Sequence, residues 1–485
     1  MIEIDDELEF KIGETTRKTH EMDIPVMIII EGPPASGKSR LSNALYMALD
    51  AKYTDFVATR PPRDIDLRYP FMQRFWNHLP KSGDVNIHFR SWYAQYIEYK
   101  EAKITDNIAV DFKEISTDME NFEKTLQQNG YEIIKFYVNT SEEVRQKHLN
   151  KLKENPTLKW KAEEFEEHLE LFNYEEEMQG FIDQKQQIPW TEIDFEDKNE
   201  AINTMFETII DTLEKRIATE ETTPVQRIVS DFTKYFETEL FTFDFEKEKI
   251  SKNKYKEILP ELQLKMRDIQ FQLYQQKIPL ILVYEGMDAA GKGGNIKRTR
   301  QRLDPTGYTI NAVSAPTDIE LAHHYLWRFA TDIPRSGHIG FFDRSWYGRV
   351  LVERVEGFAS QKEWTQAYDE IKDFEKSLYN SGAVIIKFFL SLDKDEQLER
   401  FKEREQNVEK QWKITKEDWR NREKWDQYLE ASEDMIKETS TEYAPWHIIP
   451  GNNKKYARIK VLKKIISACE KAVSYTHLTL PTTPY

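Results

Sequence analysis

The stretch Glu285-Gly286-Met287-Asp288-Ala289-Ala290-Gly291-Lys292 has a second form in the same chain, Glu31-Gly32-Pro33-Pro34-Ala35-Ser36-Gly37-Lys38. Lys292 follows Lys38 by 254 residues (292 − 38). Arg344-Ser345-Trp346-Tyr347 follows Arg90-Ser91-Trp92-Tyr93 at the same spacing. Phe374-Glu375-Lys376 and Ile385-Ile386-Lys387-Phe388 follow Phe122-Glu123-Lys124 and Ile133-Ile134-Lys135-Phe136 by 252, and Pro445-Trp446 follows Pro189-Trp190 by 256. Five blocks in one order at nearly constant spacing mark an internal duplication. The expected layout is therefore a first copy over 1–218, a polar linker over 219–240 and a second copy over 241–473. The linker begins Thr219-Glu220-Glu221-Thr222-Thr223-Pro224. Residues 474–485, Ser-Tyr-Thr-His-Leu-Thr-Leu-Pro-Thr-Thr-Pro-Tyr, break the charged helical pattern of 454–472. They resemble a translated cloning scar and are set outside the fold as a non-native tail.

Each copy reads as an α/β domain. Residues 26–31 and 280–285 are short, largely apolar runs, which suit strands buried on both faces. Further strands are expected at 85–89, 340–343, 132–138 and 384–390, with helices at 213–218 and 374–380 and a charged helical pattern over 241–276. Strand–helix alternation implies a parallel sheet covered by helices, three layers in all.

Composition bounds the function. The chain has 485 residues, 39% hydrophobic and 32% charged, as in a folded globular protein. No apolar run approaches a membrane span, and the acidic start Met1-Ile2-Glu3-Ile4-Asp5-Asp6-Glu7 is no signal peptide. Cys469 is the single cysteine, so no intrachain disulfide forms. It reads as a small core residue. These features point to the cytoplasm. Net charge is −16, which argues against broad nucleic-acid or membrane binding, so any anionic ligand needs locally focused positive charge.

Gly32-x4-Gly37-Lys38-Ser39 is a complete P-loop pattern, and Gly286-x4-Gly291-Lys292-Gly293 repeats it without the terminal hydroxyl. In such a loop the glycines let backbone N–H groups face phosphate oxygens, and the lysine and the following helix add positive charge. Gly286, Ala289, Ala290, Gly291 and Gly293 are thus expected to line phosphate. The copies differ where chemistry needs acids: Asp288 stands opposite Pro34, and Asp343 opposite Phe89. Phosphoryl transfer needs a divalent cation, and Mg²⁺ is normally held by carboxylates or their waters. Asp288 and Asp343 are the candidate Mg²⁺ holders, which assigns catalysis to the second copy. Lys38 and Ser39 retain the means to hold an anion. A local salt bridge to Arg344 is the other reading of Asp343.

Arginine can grip phosphate bidentately. Arg344, Arg349 and Arg354 surround Ser345-Trp346-Tyr347, and Arg349 stands opposite Gln95. For Arg354 a solvated surface position fits equally. Lys297 and Arg298, with Arg300 and Arg302, form a basic helix whose counterparts, read as Tyr46 and Met47, are not basic. It suits a long polyanion or a plain solvated face. Arg400, Lys402, Arg404, Lys410, Lys413, Lys416, Arg420, Arg422 and Lys424 read as a helical lid or, with their interleaved glutamates, as a solvated helix. His323-His324 lacks companions at ligand spacing and reads as structural.

The second loop, Ala315-Pro316-Thr317-Asp318, residues 323–329 from His323-His324 to Phe329, and the run 342–354 from Phe342-Asp343 to Glu353-Arg354 together resemble the polyphosphate kinase 2 family. Trp419-Arg420-Asn421-Arg422-Glu423-Lys424-Trp425 and Ser440-Thr441-Glu442-Tyr443-Ala444-Pro445-Trp446 extend the resemblance. It covers essentially the whole second copy, and the first looks like the degenerate copy of fused-domain members. The resemblance implies two tandem P-loop kinase domains with helical lids, and Mg²⁺-dependent transfer from inorganic polyphosphate to AMP, giving ADP. By it, Lys292 and Arg344 bind phosphates, Asp288 and Asp343 position the cation and activate the acceptor oxygen, and Arg349 stabilises the migrating group. An ATP-dependent nucleoside monophosphate kinase and a polyphosphate kinase for nucleoside diphosphates stand as alternatives, and a homo-oligomer is left open.

Overall fold

A computed structural model describes residues 5–101, 111–171, 173–184, 186–222, 238–244, 247–408, 410–411 and 414–479. The chain divides into two compact units, one of Met1–Leu67, Phe71–Gln226 and Pro316–Trp327, the other of Arg68–Pro70, Arg227–Ala315 and Arg328–Tyr485.

The first unit holds a sheet of β1 (Val26–Glu31), β2 (Thr54–Ala58), β3 (Val85–Phe89), β4 (Glu132–Asn139) and β5 (Trp190–Asp194), in the order β2-β3-β1-β4-β5. The second holds β6 (Leu280–Gly286), β7 (Tyr308–Ala312), β8 (Ile339–Asp343), β9 (Val384–Ser391) and β10 (Trp446–Pro450), in the order β7-β8-β6-β9-β10. Every pairing is parallel, and helices flank each sheet. The registers coincide. Ile30 pairs with Phe89 as Tyr284 pairs with Asp343, and Lys135 pairs with Trp190 as Lys387 pairs with Trp446. The spacings read from sequence therefore correspond to strand positions.

β1 is buried at all six residues and β6 at its first six, because helices cover both faces. The four strands that sequence missed, β2, β5, β7 and β10, are the sheet edges. β2 and β7 carry mixed, mostly accessible side chains and so lack the apolar run of a central strand. The helical pattern expected over 241–276 shrinks to Lys252–Gln275, since Ser251 caps that helix by accepting from the Lys254 N–H. The first copy's last helix, Lys198–Thr222, runs beyond 218, and the closing helix, Lys454–Thr479, runs into the segment set aside as a tail. Residues 223–237 of the expected linker, Lys413 of the basic stretch and residues 480–485 lie outside the described residues. Among the described residues no helix is long and apolar enough to cross a membrane.

Three of the duplicated blocks meet in one buried cluster per unit. Lys387 Nζ donates to Glu375 Oε2 (2.7 Å), Tyr347 OH (2.7 Å) and the Thr439 carbonyl (2.8 Å). Glu375 Oε1 also accepts from Trp346 Nε1 (3.1 Å) and Tyr347 OH (2.8 Å). Lys135, Glu123, Trp92 and Tyr93 repeat the arrangement, with Gln186 Oε1 in place of the carbonyl. A buried charge is tolerable only when paired and fully hydrogen-bonded, and here it is. The cluster fixes the turn after β8, which carries Arg344.

Candidate active site

Strand order reverses around β6, the central strand, and ligands of open α/β sheets bind at strand C-termini beside such a switch point. The loop leaving β6 turns through Gly286 at φ +132°, Ala289 at +60° and Gly291 at +104°, then enters the helix Lys292–Thr299. A side chain at Gly286 would collide with the backbone of Leu390, whereas at Gly291 it would meet nothing within 4 Å. The cradle at the helix N-terminus is therefore open. Lys292 Nζ folds back on the loop, donating to the Gly286 carbonyl at 2.6 Å.

Asp288 lies at the crossing of three elements. Its Oδ1 accepts from Arg344 Nη2 (3.3 Å) and its Oδ2 from Asn421 Nδ2 (2.8 Å). Asn421 Oδ1 in turn accepts from Tyr428 OH (3.1 Å). Gln397 donates to the Asp288 carbonyl (3.1 Å), and Arg400 to the Ala289 carbonyl (2.9 Å) and the Gly451 and Asn452 carbonyls (2.8 Å each). Helix Lys394–Gln406 thereby clamps the loop, while helices Lys416–Glu423 and Trp425–Thr439 bring Asn421, Trp425 and Tyr428 over it. Glu285, Asp288, Lys292, Arg344, Asn421 and Tyr428 line one cavity. Burial pushes the Glu285 carboxyl up to about 7, against the pull of Lys292, its hydrogen bond from Ser345 and Arg344.

Arg344 occupies the left-handed region at φ +65°, a conformation costing roughly 1–2 kcal/mol for a side-chain-bearing residue. Its N–H donates to the Tyr284 carbonyl (3.1 Å), and Ser345 Oγ next to it donates to Glu285 (2.8 Å). These bonds aim the guanidinium at the cavity, where it pairs with Asp288 and, at 3.7 Å, with Glu417. The alternative bridge between Arg344 and Asp343 does not form. Asp343, at the end of β8, faces the first turn of the loop helix, with Oδ2 3.5 Å from where a Gly293 side chain would begin. Its carboxylate takes no hydrogen bond or ion pair among the described residues. Ala290, at the loop's far bend, is buried and donates its N–H to the Met287 carbonyl (3.1 Å).

Other expected residues lie elsewhere. Arg349 pairs with Glu353 (3.1 Å) and Glu363 (3.7 Å); it is not itself in the cavity lining, although its neighbour Gly348 is. Arg354 is not a surface residue. It is 4% exposed, which overturns the solvated-surface reading alone, and is bonded to Tyr368 OH (3.0 Å) and Asp434 (2.9 Å), with its guanidinium 4.2 Å from the Trp364 ring. Lys297 is exposed and Arg298 half-buried, and neither lines the cavity. Since Lys38 and Lys292 both begin their helices, the counterparts of Lys297 and Arg298 are Asn43 and Ala44, not Tyr46 and Met47. His323 stacks on Trp327 at 4.2 Å, and no metal-binding group of three His, Cys, Asp or Glu occurs among the described residues. Cys469 is fully buried, as expected. Sequence reasoning gave no role to Gln397 or Tyr428, named Arg400 only within a stretch read as a lid or a solvated helix, and met Asn421 only in the family resemblance, because such polar side chains look like any charged helix until the lid is folded over the loop.

In the first unit Lys38 Nζ bonds to the Gly32 carbonyl but lies 5.4 Å from the Phe89 ring and 5.7 Å from the Tyr174 ring. Burial lowers its pKa to about 7. Phe89, whose ring faces this lysine, stands at the strand position that Asp343 holds in the second repeat.

A central parallel strand, a glycine-hinged loop tipped by lysine, and helices closing over it define a kinase of the P-loop class. The family model for polyphosphate kinase 2 (PPK2) matches residues 5–221 and 249–476, and the chain belongs to that family. It is 36% identical to a Pseudomonas aeruginosa polyphosphate:AMP phosphotransferase, over 96% of this chain and 93% of that protein. It is 35% identical to the Acinetobacter johnsonii protein of the same name, over 91% and 90% respectively. A solved polyphosphate kinase 2 chain from Pseudomonas aeruginosa PA01 superposes with a TM-score of 0.81 at 33% identity, covering 97% of this chain and 95% of that one.

Proposed function

We propose that this protein moves a phosphoryl group from inorganic polyphosphate to AMP, forming ADP, with the chemistry in the repeat over 241–473 and the repeat over 1–218 lacking it. Relatives named for that reaction align with nearly the whole chain. The observation that carries the reading is the setting of Asp288: a carboxylate held between Arg344 and Asn421, in one cavity with Lys292. The loop N–H groups and Lys292 bind and orient the donor phosphates. Arg344, pre-aimed by its backbone, offsets charge on the group in transit, and Asp288 orients the acceptor oxygen.

The residues fit a divalent cation, which we take to be Mg²⁺. Asp343 is a carboxylate beside the loop helix with no hydrogen bond or ion pair among the described residues, and two carboxylates suffice for Mg²⁺, which keeps much of its shell as water and phosphate oxygen. Bound there, the cation would supply positive charge against the phosphates. Asp288 and Asp343 would hold it. We also place the protein in the cytoplasm, with its nucleotide substrates.

A relative from Meiothermus ruber, 40% identical over 44% of this chain, is named AMP/ADP-polyphosphate phosphotransferase, so ADP is the second acceptor to test. Incubation with AMP, Mg²⁺ and polyphosphate, without ATP, is expected to yield ADP. No ADP under those conditions, with ADP appearing once ATP is supplied, would refute polyphosphate as donor. ATP formed from added ADP would extend the acceptor range.

A further inference from the structure

Position 195 in the first repeat and 451 in the second are the same place, just past the fifth strand. The Phe195 N–H donates to the Asn139 carbonyl (2.9 Å) as the Gly451 N–H donates to the Ser391 carbonyl (2.6 Å). The side chains differ in the extreme. The Phe195 ring, 1% exposed, fills the space at Gly37, where a Cβ would overlap it. At Gly291, the counterpart of Gly37, that space is empty to 4 Å. Phe195 therefore sits at the helix N-terminus where the second loop has an open phosphate cradle.

The loop and the first turn of its helix keep unmet polar groups. Ser36 is fully buried, and its Oγ, 2.9 Å from where a Gly32 side chain would begin, has no hydrogen-bond partner among the described residues. Arg40 Nη1, in the first turn of the following helix, is likewise buried with no partner among them. Buried donors left unpaired are rare in proteins and mark a missing ligand or a role outside packing. Gly37 retains the left-handed turn of the loop, at φ +101° against +104° for Gly291. Backbone shape, lysine and spare donors are all those of an anion site, and a ring occupies the anion's place.

We infer that the first repeat contains a phosphate site plugged by Phe195, and that the absence of a side chain at Gly451 is what leaves the second repeat accessible to phosphate. Gly451 is thus a specificity-determining position for the proposed reaction, and its role in the second repeat rests on that reading. Nothing at Gly451 demands left-handed backbone. A Cβ there would press on the Ser391 carbonyl at 2.7 Å and the Ala290 carbonyl at 3.2 Å, a shift that Phe195 shows its strand end can accommodate. The first repeat lost its acids, Asp288 and Asp343 having become Pro34 and Phe89, so an unplugged first site binds without turning over.

The test counts tripolyphosphate sites per full-length chain by titration calorimetry in Mg²⁺ buffer, with circular dichroism as the folding control. The wild type is expected to bind at one site and Phe195→Gly at two. Adding Lys38→Met to Phe195→Gly returns the count to one. ADP formation by Phe195→Gly stays at the wild-type level. Gly451→Phe is expected to bind at none and to lose turnover, whereas Gly451→Ala keeps its site, which separates the ring from the backbone shift. One site in folded Phe195→Gly, or a retained site in folded Gly451→Phe, overturns the inference. Loss of the site in Gly451→Ala does the same for Gly451. If Gly451→Phe does not fold, the Phe195→Gly arm decides alone. A wild type that binds no tripolyphosphate contradicts the proposed donor instead, and a site gained in Phe195→Gly would still uphold the plug.

Discussion

Replacing Lys387 by methionine removes the only cation from a cluster in which Lys387 and Glu375 are both fully buried. Three bonds of 2.7–2.8 Å disappear, and Glu375 keeps only Trp346 Nε1 and Tyr347 OH as donors. Breaking a buried pair from one side costs about 3–5 kcal/mol, because the remaining charge is left uncompensated. In a unit of this size each kcal/mol lowers the midpoint by about 2–4 °C, so a loss of roughly 6–20 °C is expected for the second unit. Burial already raises the Glu375 carboxyl, and losing the lysine raises it further. A carboxyl whose folded pKa exceeds its unfolded one holds a proton in the folded state, so the penalty shrinks as pH falls. The variant should therefore be closer to wild type at pH 5 than at pH 8. Glu375→Leu added to Lys387→Met should restore much of the loss, since apolar replacement of both partners is often neutral. Differential scanning calorimetry of the two singles and the double closes the cycle. A single-mutant loss under about 1 kcal/mol, or a double mutant worse than both singles, would refute a stabilising buried pair.

Three further outcomes are expected. Arg354→Leu should lower stability by about 2–4 kcal/mol through loss of its Tyr368, Asp434 and Trp364 contacts while leaving KM for polyphosphate unchanged; a raised KM with unchanged stability would return Arg354 to the site. Asn421→Ala frees one Asp288 oxygen and should reduce kcat by about 10²-fold, with Asn421→Asp no substitute because it would set two carboxylates together; a kcat at the wild-type level in initial-rate assays would remove Asn421 from the site. Chelation of Mg²⁺, and separately Asp343→Asn, should abolish ADP formation with circular dichroism unchanged; turnover surviving in either case would count against the assigned cation site.

The parts of the fold written plainly in the sequence are those governed by burial. β6 and β4 are apolar runs because helices cover both faces, and the duplicated Trp, Tyr, Glu and Lys blocks persist because each supplies one member of a buried cluster. Edge strands such as β7 escape notice, since their accessible face admits any polar residue. In the site, Asp288, Lys292 and Arg344 were legible because loop geometry fixes where they stand. The pairing of Arg349 with Glu353 and of Arg354 with Asp434 was not, because proximity to a motif says nothing about which way a short helical turn points each side chain. Phe195 and Gly451 were in principle readable: the spacing of 256 set by Trp190 and Trp446 carries straight on to them. What the sequence lacked was the knowledge that this strand end overlooks the cradle.

The most direct measurement compares ADP formation from AMP, Mg²⁺ and polyphosphate by Lys292→Met and Lys38→Met proteins, each shown to be folded. If the second loop does the chemistry, Lys292→Met loses at least about 10²-fold in kcat while Lys38→Met stays within about twofold of wild type. Comparable losses in both, or a loss confined to Lys38→Met, would contradict it.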